Sequence, residues 1–563
     1  MSNLLAERGP IHVHVGATII VEGSPPSYEK LVAHVQKRLA LVPRFRQRIV
    51  KIPLGIENPV WGDDPQFDIH RHVRHISVPR PGRLDQLRDL VGRVMSEPLD
   101  MERPLWQLYL IEGLTGRHAY VSKTHHALVD GVAALDVGTI LLDPSKTGTR
   151  FEVPEPPWDP DEPSPTMLVA QAASDRIRKP IRAAGRAARN AVTMPAQTAG
   201  RVIRTAEAFT GLASGGPKVP RSSLNVRVGR DRRIAWVRAD LDRLKRAREV
   251  AEGATVNDVI LSVAAGALRR FLFERGDRVP DYLVALVPVS IREPHEKGEL
   301  GNRISTIMVR LPLDEPDPTK RLERLRDETK RLKESDNARA ASLLIEATGW
   351  TPPTLNRVLS SAMARPLVFN LVVSNVPGPQ QPLFMLGRRI REIYPFVPLS
   401  PQNHALSIGM ISYDGTIYFG LVGDRDVLPD LDRLAEELHT ALREQPAPPK
   451  PRTRAAREPA AKRVASAAKG KTTPKAKTKP QVRRRPKPKP KVKPTPKATP
   501  ATKRGASPPK PKTGAAKAKR PTPAEKAKGP PVQRAAASVR SKLAERKAAR
   551  QKRRTSRRTK RPS

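Results

Sequence analysis

Composition breaks at Pro446. From there to Ser563 the sequence holds 41 Lys and Arg against 3 Asp and Glu, net +38, and no Phe, Tyr or Trp. Such a segment has too little apolar surface to bury, and its like charges repel. Lys-Pro and Lys-Ala alternation (PKPKPKVKPTPK) and Arg clusters (QKRRTSRRTK) predict a disordered, extended tail over residues 446–563. Only Ala535 to Arg554 has helix-favouring composition. Residues 1–445 are a different object, with 62 basic against 53 acidic residues, net +9, and all 22 aromatics. That part is long and apolar enough for a large core.

Several classes fall away. With no cysteine, disulfide scaffolds, thiolate metal sites and a cysteine nucleophile are excluded. The start, Met1-Ser-Asn-Leu-Leu-Ala-Glu-Arg, lacks the basic-then-apolar pattern of a secretory signal. No run approaches the roughly 18 apolar residues of a spanning helix. The expected compartment is the cytoplasm, with attachment to a membrane surface left open.

Residues 11–21 (IHVHVGATIIV) and 105–112 (LWQLYLIE) read as strands. Between them, Leu31, Val32, Val35 and Leu39 make one apolar helical stripe, and Leu84, Leu87, Val91, Val94 and Met95 make another. Gly113 to Gly116 reads as a tight connection into a strand from His118 to Thr124, and a helical pattern runs from Val132 to Leu142. Residues 151–165 suit an exposed linker, and Met167 to Phe209 reads as basic crossover helices. A strong apolar helix opens at Thr255 and ends at Gly276. Tyr282 to Ile291, Arg303 to Leu311, Leu367 to Val373 and Ile417 to Val422 read as strands, and Leu431 to Leu442 as a closing helix. The expected fold is α/β in two lobes: 1–150, a linker and crossover over 151–220, and 221–445, followed by the tail.

The sharpest motif is His125-His126-Ala-Leu-Val-Asp130-Gly131. A histidine at a strand end can project its imidazole into a cleft, take a proton from a hydroxyl and return it to a leaving group. Parity places His126 with Thr124, Ser122 and Tyr120, and His125 with Val121 and Ala119 on the other face. Gly131 gives the chain room to turn and lets a substrate approach. On spacing alone, a pair of core histidines with a helix-capping Asp130 competes equally. A metal site is disfavoured, because adjacent histidines on a strand point opposite ways. GxSxG, GxxxxGK[ST], HExxH and GxGxxG are all absent, so neither a serine acyl-enzyme nor nucleotide hydrolysis is indicated.

Taken in order, the blocks of this chain resemble the bacterial wax ester synthase/diacylglycerol acyltransferases, relatives of chloramphenicol acetyltransferase and of peptide-synthetase condensation domains. The resemblance covers nearly all of residues 10–445. It rests on Pro10-Ile-His-Val-His-Val-Gly16, Pro104-Leu105-Trp106, the HHALVDG block, Asn257-Asp258 and Gly301-Asn302. It continues through Ser374-Asn375-Val376-Pro377-Gly378-Pro379, Ser412-Tyr-Asp-Gly415 and Gly420-Leu-Val-Gly-Asp424. It implies an α/β (α+β) fold of two chloramphenicol-acetyltransferase-like lobes around a central cleft or tunnel. It implies His126 as general base, supported by His125, with Asp130 holding the motif loop through an arginine. Arg46 is the preferred partner and Arg292 the second.

The other blocks have structural readings beside functional ones. Thr255-Val-Asn-Asp258 is also a capping box, which makes Asp258 structural first and leaves Asn257 to face substrate. Pro377-Gly378 is the expected central pair of a type II turn. Ser374 and Asn375 before it are candidate donors to an oxyanion. Trp106 suits an aromatic core position as well as a substrate contact.

The resemblance implies transfer of a fatty acyl group from acyl-CoA to diacylglycerol, or to a long-chain alcohol as second choice. No metal or prosthetic group is expected; acyl-CoA is a substrate. Expected partners include an anionic membrane or lipid-droplet surface, with the enzyme peripheral on the inner membrane face or on droplets. The tail's charge also suits nucleic acid or another polyanion. Two other readings stay open: a carrier-dependent condensation-type protein, and an inactive scaffold that acts through its tail.

Overall fold

The computed structural model describes residues 12–52, 59–128, 141–149, 219–290, 304–334, 369–400 and 404–446, with positions 160, 167 and 448. The expected linker and crossover helices, nearly all of the 132–142 helix and the tail lie outside these residues.

Two six-stranded sheets carry the fold. The N-terminal sheet begins with β1 (His14–Glu22), followed by α1 (Tyr28–Leu39) and the small pair β2 (Gln47–Val50) and β3 (Val60–Asp63). It continues with β4 (Val73–Ser77), α2 (Leu84–Ser96), β5 (Trp106–Glu112) and β6 (Arg117–His125). The C-terminal half supplies β7 (Arg232–Asp240), α3 (Leu241–Ala247), α4 (Val256–Glu274), β8 (Tyr282–Ser290), β9 (Ile304–Pro312) and α5 (Pro318–Glu334). It ends with β10 (Leu371–Val376), β11 (Phe384–Met385), β12 (Arg388–Phe396), β13 (Leu406–Tyr413), β14 (Thr416–Asp424) and α6 (Leu431–Glu444).

Local signals explain most of these boundaries. Ser27 caps α1 by accepting from the Lys30 amide, and Leu31, Val32, Val35 and Leu39 form its buried stripe. Gly113 and Gly116 bracket the turn into β6 at φ +91° and +66°, a region an L side chain enters only with strain. Thr255 caps α4, and Gly276 at φ +72° follows its end.

The sheet order departs from the sequence order. The N-terminal sheet runs β11-β12-β1-β6-β5-β4, so two strands from the C-terminal half complete it. The C-terminal sheet runs β7-β14-β13-β10-β8-β9. Its helix-facing side packs Leu406, Ile408, Met410 and Phe419 with Val259, Val263 and Leu438 in one core. Its other side gives Ile411, Tyr413, Tyr418 and Val422 to a second core, shared with Ile390, Ile393 and Tyr394 of β12. Buried on both faces, β13 and β14 carry near-continuous apolar sequence.

Strand β12 is the seam. Tyr394 stacks on Trp236 of β7 at 4.5 Å between centroids, and Glu392 stands 3.5 Å from Arg117 and 3.7 Å from Arg238. Two glycines admit the strand. A Cβ on Gly420 would stand 1.9 Å from the Pro395 carbonyl oxygen, and one on Gly409 would stand 2.6 Å from Val397 Cγ2.

Two expectations need correction. The predicted strand from Leu367 to Val373 is observed as Leu371–Val376, so Ser374 and Asn375 belong to the strand itself. Gly378 lacks the positive φ that a type II turn demands of its third residue. The glycine serves close approach instead. A Cβ there would meet the Ser412 carbonyl oxygen at 2.3 Å, while the Gly378 amide donates to Ser412 Oγ at 3.2 Å.

Candidate active site

Strand β6 delivers the two histidines to one end of the N-terminal sheet. The His125 amide donates to Leu105 O at 3.0 Å and the His126 amide to Val13 O at 2.8 Å. The chain then turns, with Leu128 N–H donating to His125 O. His125 is fully buried, and its Nδ1 accepts from the Ala127 amide at 3.0 Å. Neutral imidazole with Nδ1 as acceptor carries its proton on Nε2. His125 therefore fastens the turn that presents its neighbour. Its ring meets His14, its register partner on β1, edge-on at 6.4 Å, and His14 stacks on His12 at 5.2 Å.

From Ser122 onward burial alternates with the expected parity, whereas Tyr120, on the His126 row, is buried like its neighbours. Lys123 and His125 are wholly buried, whereas Ser122, Thr124 and His126 are half-buried. On the same face as Ser122, β1 contributes half-buried Val15 and Ala17, and Ala17 pairs onward with Pro395 of β12. Pro395 and Val397 lie over Gly409, and Gly409 pairs with Ser374 of β10. The register therefore puts Ser374 on the side of the C-terminal sheet that meets the N-terminal lobe. Asn375 alternates to the helix-facing side with Val373. The structure separates these two candidates.

The remaining residues sort themselves by contact. Asn257 is half-buried in the first turn of α4 and makes no side-chain hydrogen bond to another described residue. Asp258 is 1% exposed; its Oδ2 accepts from the Thr255 amide at 2.8 Å and its Oδ1 from Thr329 Oγ1 at 2.7 Å. That is the capping box, reinforced from α5. Trp106 is buried in the core, its indole N–H donating to Phe45 O at 2.7 Å and its ring stacked on His72 at 4.7 Å. Asp130, Gly131 and Arg292 lie outside the described residues, so the pairing of Asp130 with Arg46 is not visible. Burial lowers the pKa of Arg46 and the nearby Asp63 opposes that shift.

Sequence reading missed two buried ionic devices beside the motif. Lys123 Nζ donates to the carbonyls of Val94 and Glu97, each at 2.6 Å, and so ties β6 to the last turn of α2. Burial pushes this amine down to about 8. The available signal was a lysine at the same parity as Ala119 and Val121 of the strand. Further along the chain, Asp143 accepts from Arg38 at 2.7 Å and from the Thr149 amide at 2.9 Å. His34 accepts from Arg38 at Nδ1 and donates from Nε2 to Leu141 O at 2.9 Å, and burial holds its pKa below the usual histidine range. Nothing local marks Arg38 and Asp143 as partners 105 positions apart. Among the described residues no group of three or more His, Asp or Glu is arranged to hold a metal, and no helix is long and apolar enough to cross a membrane.

Comparison with known proteins identifies the family. The family model of the wax ester synthase/diacylglycerol acyltransferase catalytic domain matches residues 1–260, and that of the C-terminal domain of the same family matches residues 300–445. The probable diacylglycerol O-acyltransferase tgs2 of Mycobacterium tuberculosis is 34% identical over 447 residues, which span 77% of this chain and 94% of that protein. The corresponding tgs1 is 31% identical over 455 residues, spanning 78% and 93%. Among solved structures, the wax ester synthase/diacylglycerol acyltransferase of Marinobacter aquaeolei VT8 superimposes with a TM-score of 0.55 at 27% identity. That match covers 78% of this chain and 96% of the Marinobacter protein.

Proposed function

The chain belongs to the wax ester synthase/diacylglycerol acyltransferase family, and from that membership we propose how it works: it moves a fatty acyl group from acyl-CoA to the hydroxyl of diacylglycerol, and to long-chain alcohols as a second acceptor class. The observation that carries the mechanism is the position of His126, half-buried at the end of β6 on the row of Ser122 and Thr124. In this reading its imidazole takes the proton of the acceptor hydroxyl as that oxygen attacks the thioester carbonyl. The tetrahedral oxyanion collapses, the carbon–sulfur bond breaks, and the imidazolium returns the proton to the CoA thiolate. Ser374 is the candidate donor to the oxyanion, because its row faces the N-terminal lobe. The half-buried Val15, Ala17, Val372 and Val376 supply apolar wall for the lipid acceptor. The chemistry needs no resident cofactor.

The same reading gives the tail a place. Its net +38 suits an anionic membrane or droplet surface, where each nearby Lys or Arg contributes about 1 kcal/mol before screening. DNA offers similar charge and is the competing surface. The deciding experiment supplies acyl-CoA with diacylglycerol and hexadecanol in competition and separates the lipid products. Triacylglycerol in excess of wax ester is the expected result. Release of free fatty acid with neither ester would overturn the proposal.

A further inference from the structure

The opposite face of the N-terminal sheet carries a different chemistry. Lys123 alternates onto it and reaches the last turn of α2. Beside that turn, where α2 packs against the start of β7, lies a cavity of roughly 530 Å³ whose lining includes Asp89, Arg93, Ser96, Asp231, Arg232 and Arg425. It crosses the seam between the two halves. The Arg232 amide donates to Ser96 Oγ at 2.8 Å, and its guanidinium donates to Gly229 O at 2.8 Å. Arg93 and Arg425 are exposed, and neither side chain bonds another described residue.

The cavity also sits at the right end of the molecule. Arg232 pairs with Asp424 at the end of β14, one residue beyond the pairing of Gly423 with Leu406. There Ser407 Oγ donates to Pro398 O, just past the end of β12. The end of β12 pairs with Gly16 of β1, and β1 pairs His14 with His125. Lys123 bonds the carbonyl of Glu97, the residue after Ser96 of the cavity lining, and stands three residues before His126 in sequence.

We propose that this cavity takes the phosphate-bearing nucleotide end of the acyl-CoA donor, with Arg93 and Arg425 as its phosphate contacts. The inference rests on the acyl-CoA reading above and deepens it. Three guanidinium groups favour a polyanion, while the carboxylates of Asp89 and Asp231 suit the hydroxyl and amino donors of a nucleoside and repel a bare phosphate. The other face of the sheet offers apolar Val15 and Ala17 instead.

The test compares two donors carrying one acyl group: acyl-CoA, and the acyl thioester of N-acetylcysteamine, which has no phosphate. In the double variant Arg93→Glu/Arg425→Glu, KM for acyl-CoA should rise at least tenfold, with KM for the truncated thioester within twofold of wild type. Arg93→Gln/Arg425→Gln, without reversed charge, should show the same split at smaller size. An equal rise for both donors, or none for either, overturns the proposal. Calorimetry with free coenzyme A, run on wild type and variant, decides the site independently of turnover. A tenfold weaker Kd in the variant supports it and an unchanged Kd overturns it, even if the wild type transfers from neither donor and the acyl-CoA reading itself fails. Weaker sedimentation of the variant with phosphatidylglycerol vesicles, at an unchanged Kd for coenzyme A, would assign the arginines to a lipid surface and likewise overturn the proposal.

Discussion

Strands β6 and β14 each run antiparallel between two neighbours, yet their interiors are filled differently. Strand β6 buries His118, Lys123 and His125. Each has a fixed polar partner: Gly23 O for His118, helix-end carbonyls for Lys123, and the Ala127 amide for His125. Strand β14 buries Ile417, Phe419, Leu421 and Val422 and places glycines at 420 and 423. The first arrangement gives up apolar contact to hold a turn in one geometry. The second gives up a side chain to let a distant strand cross. Buried polar groups held by such bonds fix position more than they add stability, because the exchange with water is nearly even. One sheet is built to aim a residue and the other to be docked upon.

The comparison breaks most visibly at the aimed residue. His126→Ala should lower turnover by about 10²–10⁴-fold with the thermal midpoint unchanged. Activity within threefold of wild type would remove the histidine from the mechanism. On the docking side, Gly420→Val places carbon where Pro395 O already lies. It should destabilise by about 3 kcal/mol, read as a lower urea midpoint, and a wild-type midpoint would mean that β12 does not depend on this close approach.

Smaller effects come from titration. His404 is buried against Phe369, its Nε2 donates to Phe369 O at 2.6 Å, and burial pushes it down to about 4. The unfolded chain, with a histidine near 6.5, binds the proton first. Its contribution is full above pH 6.5 and is lost as pH falls toward 4, so His404→Gln should flatten the loss of stability on acidification. Lys123 acts at the alkaline end. With its amine near 8 when folded and 10.5 when unfolded, stability from this group rises as pH climbs between those values. Lys123→Met should abolish that rise, and at neutral pH should cost about 1–3 kcal/mol through the two carbonyls it leaves. An unaltered stability–pH profile in either variant would show that the residue does not titrate this way. Least disruptive is removal of residues 446–563. Turnover on detergent-dispersed substrate should persist while sedimentation with anionic vesicles weakens, most at low salt. Loss of turnover on dispersed substrate would make the tail part of the catalytic machinery.

What was legible in the sequence is what short range decides. The α4 cap is written in Thr255 and Asp258, the β6 turn in Gly113 and Gly116, and the sorting of His125 and His126 in the twofold period of a strand. The tail's break in composition was equally plain, since charge and missing aromatics are local properties. Tertiary structure alone decided the rest. That β12 completes the N-terminal sheet, that Gly420 stands where its backbone passes and Gly409 where the Pro395 and Val397 side chains lie, and that Ser374 and Asn375 face different layers all depend on strands brought together from far along the chain. The same holds for Lys123, whose partners are carbonyls at the end of a helix. A residue's period is set by its neighbours in sequence, whereas what stands opposite it is set by how the sheets close, and no local pattern carries that information.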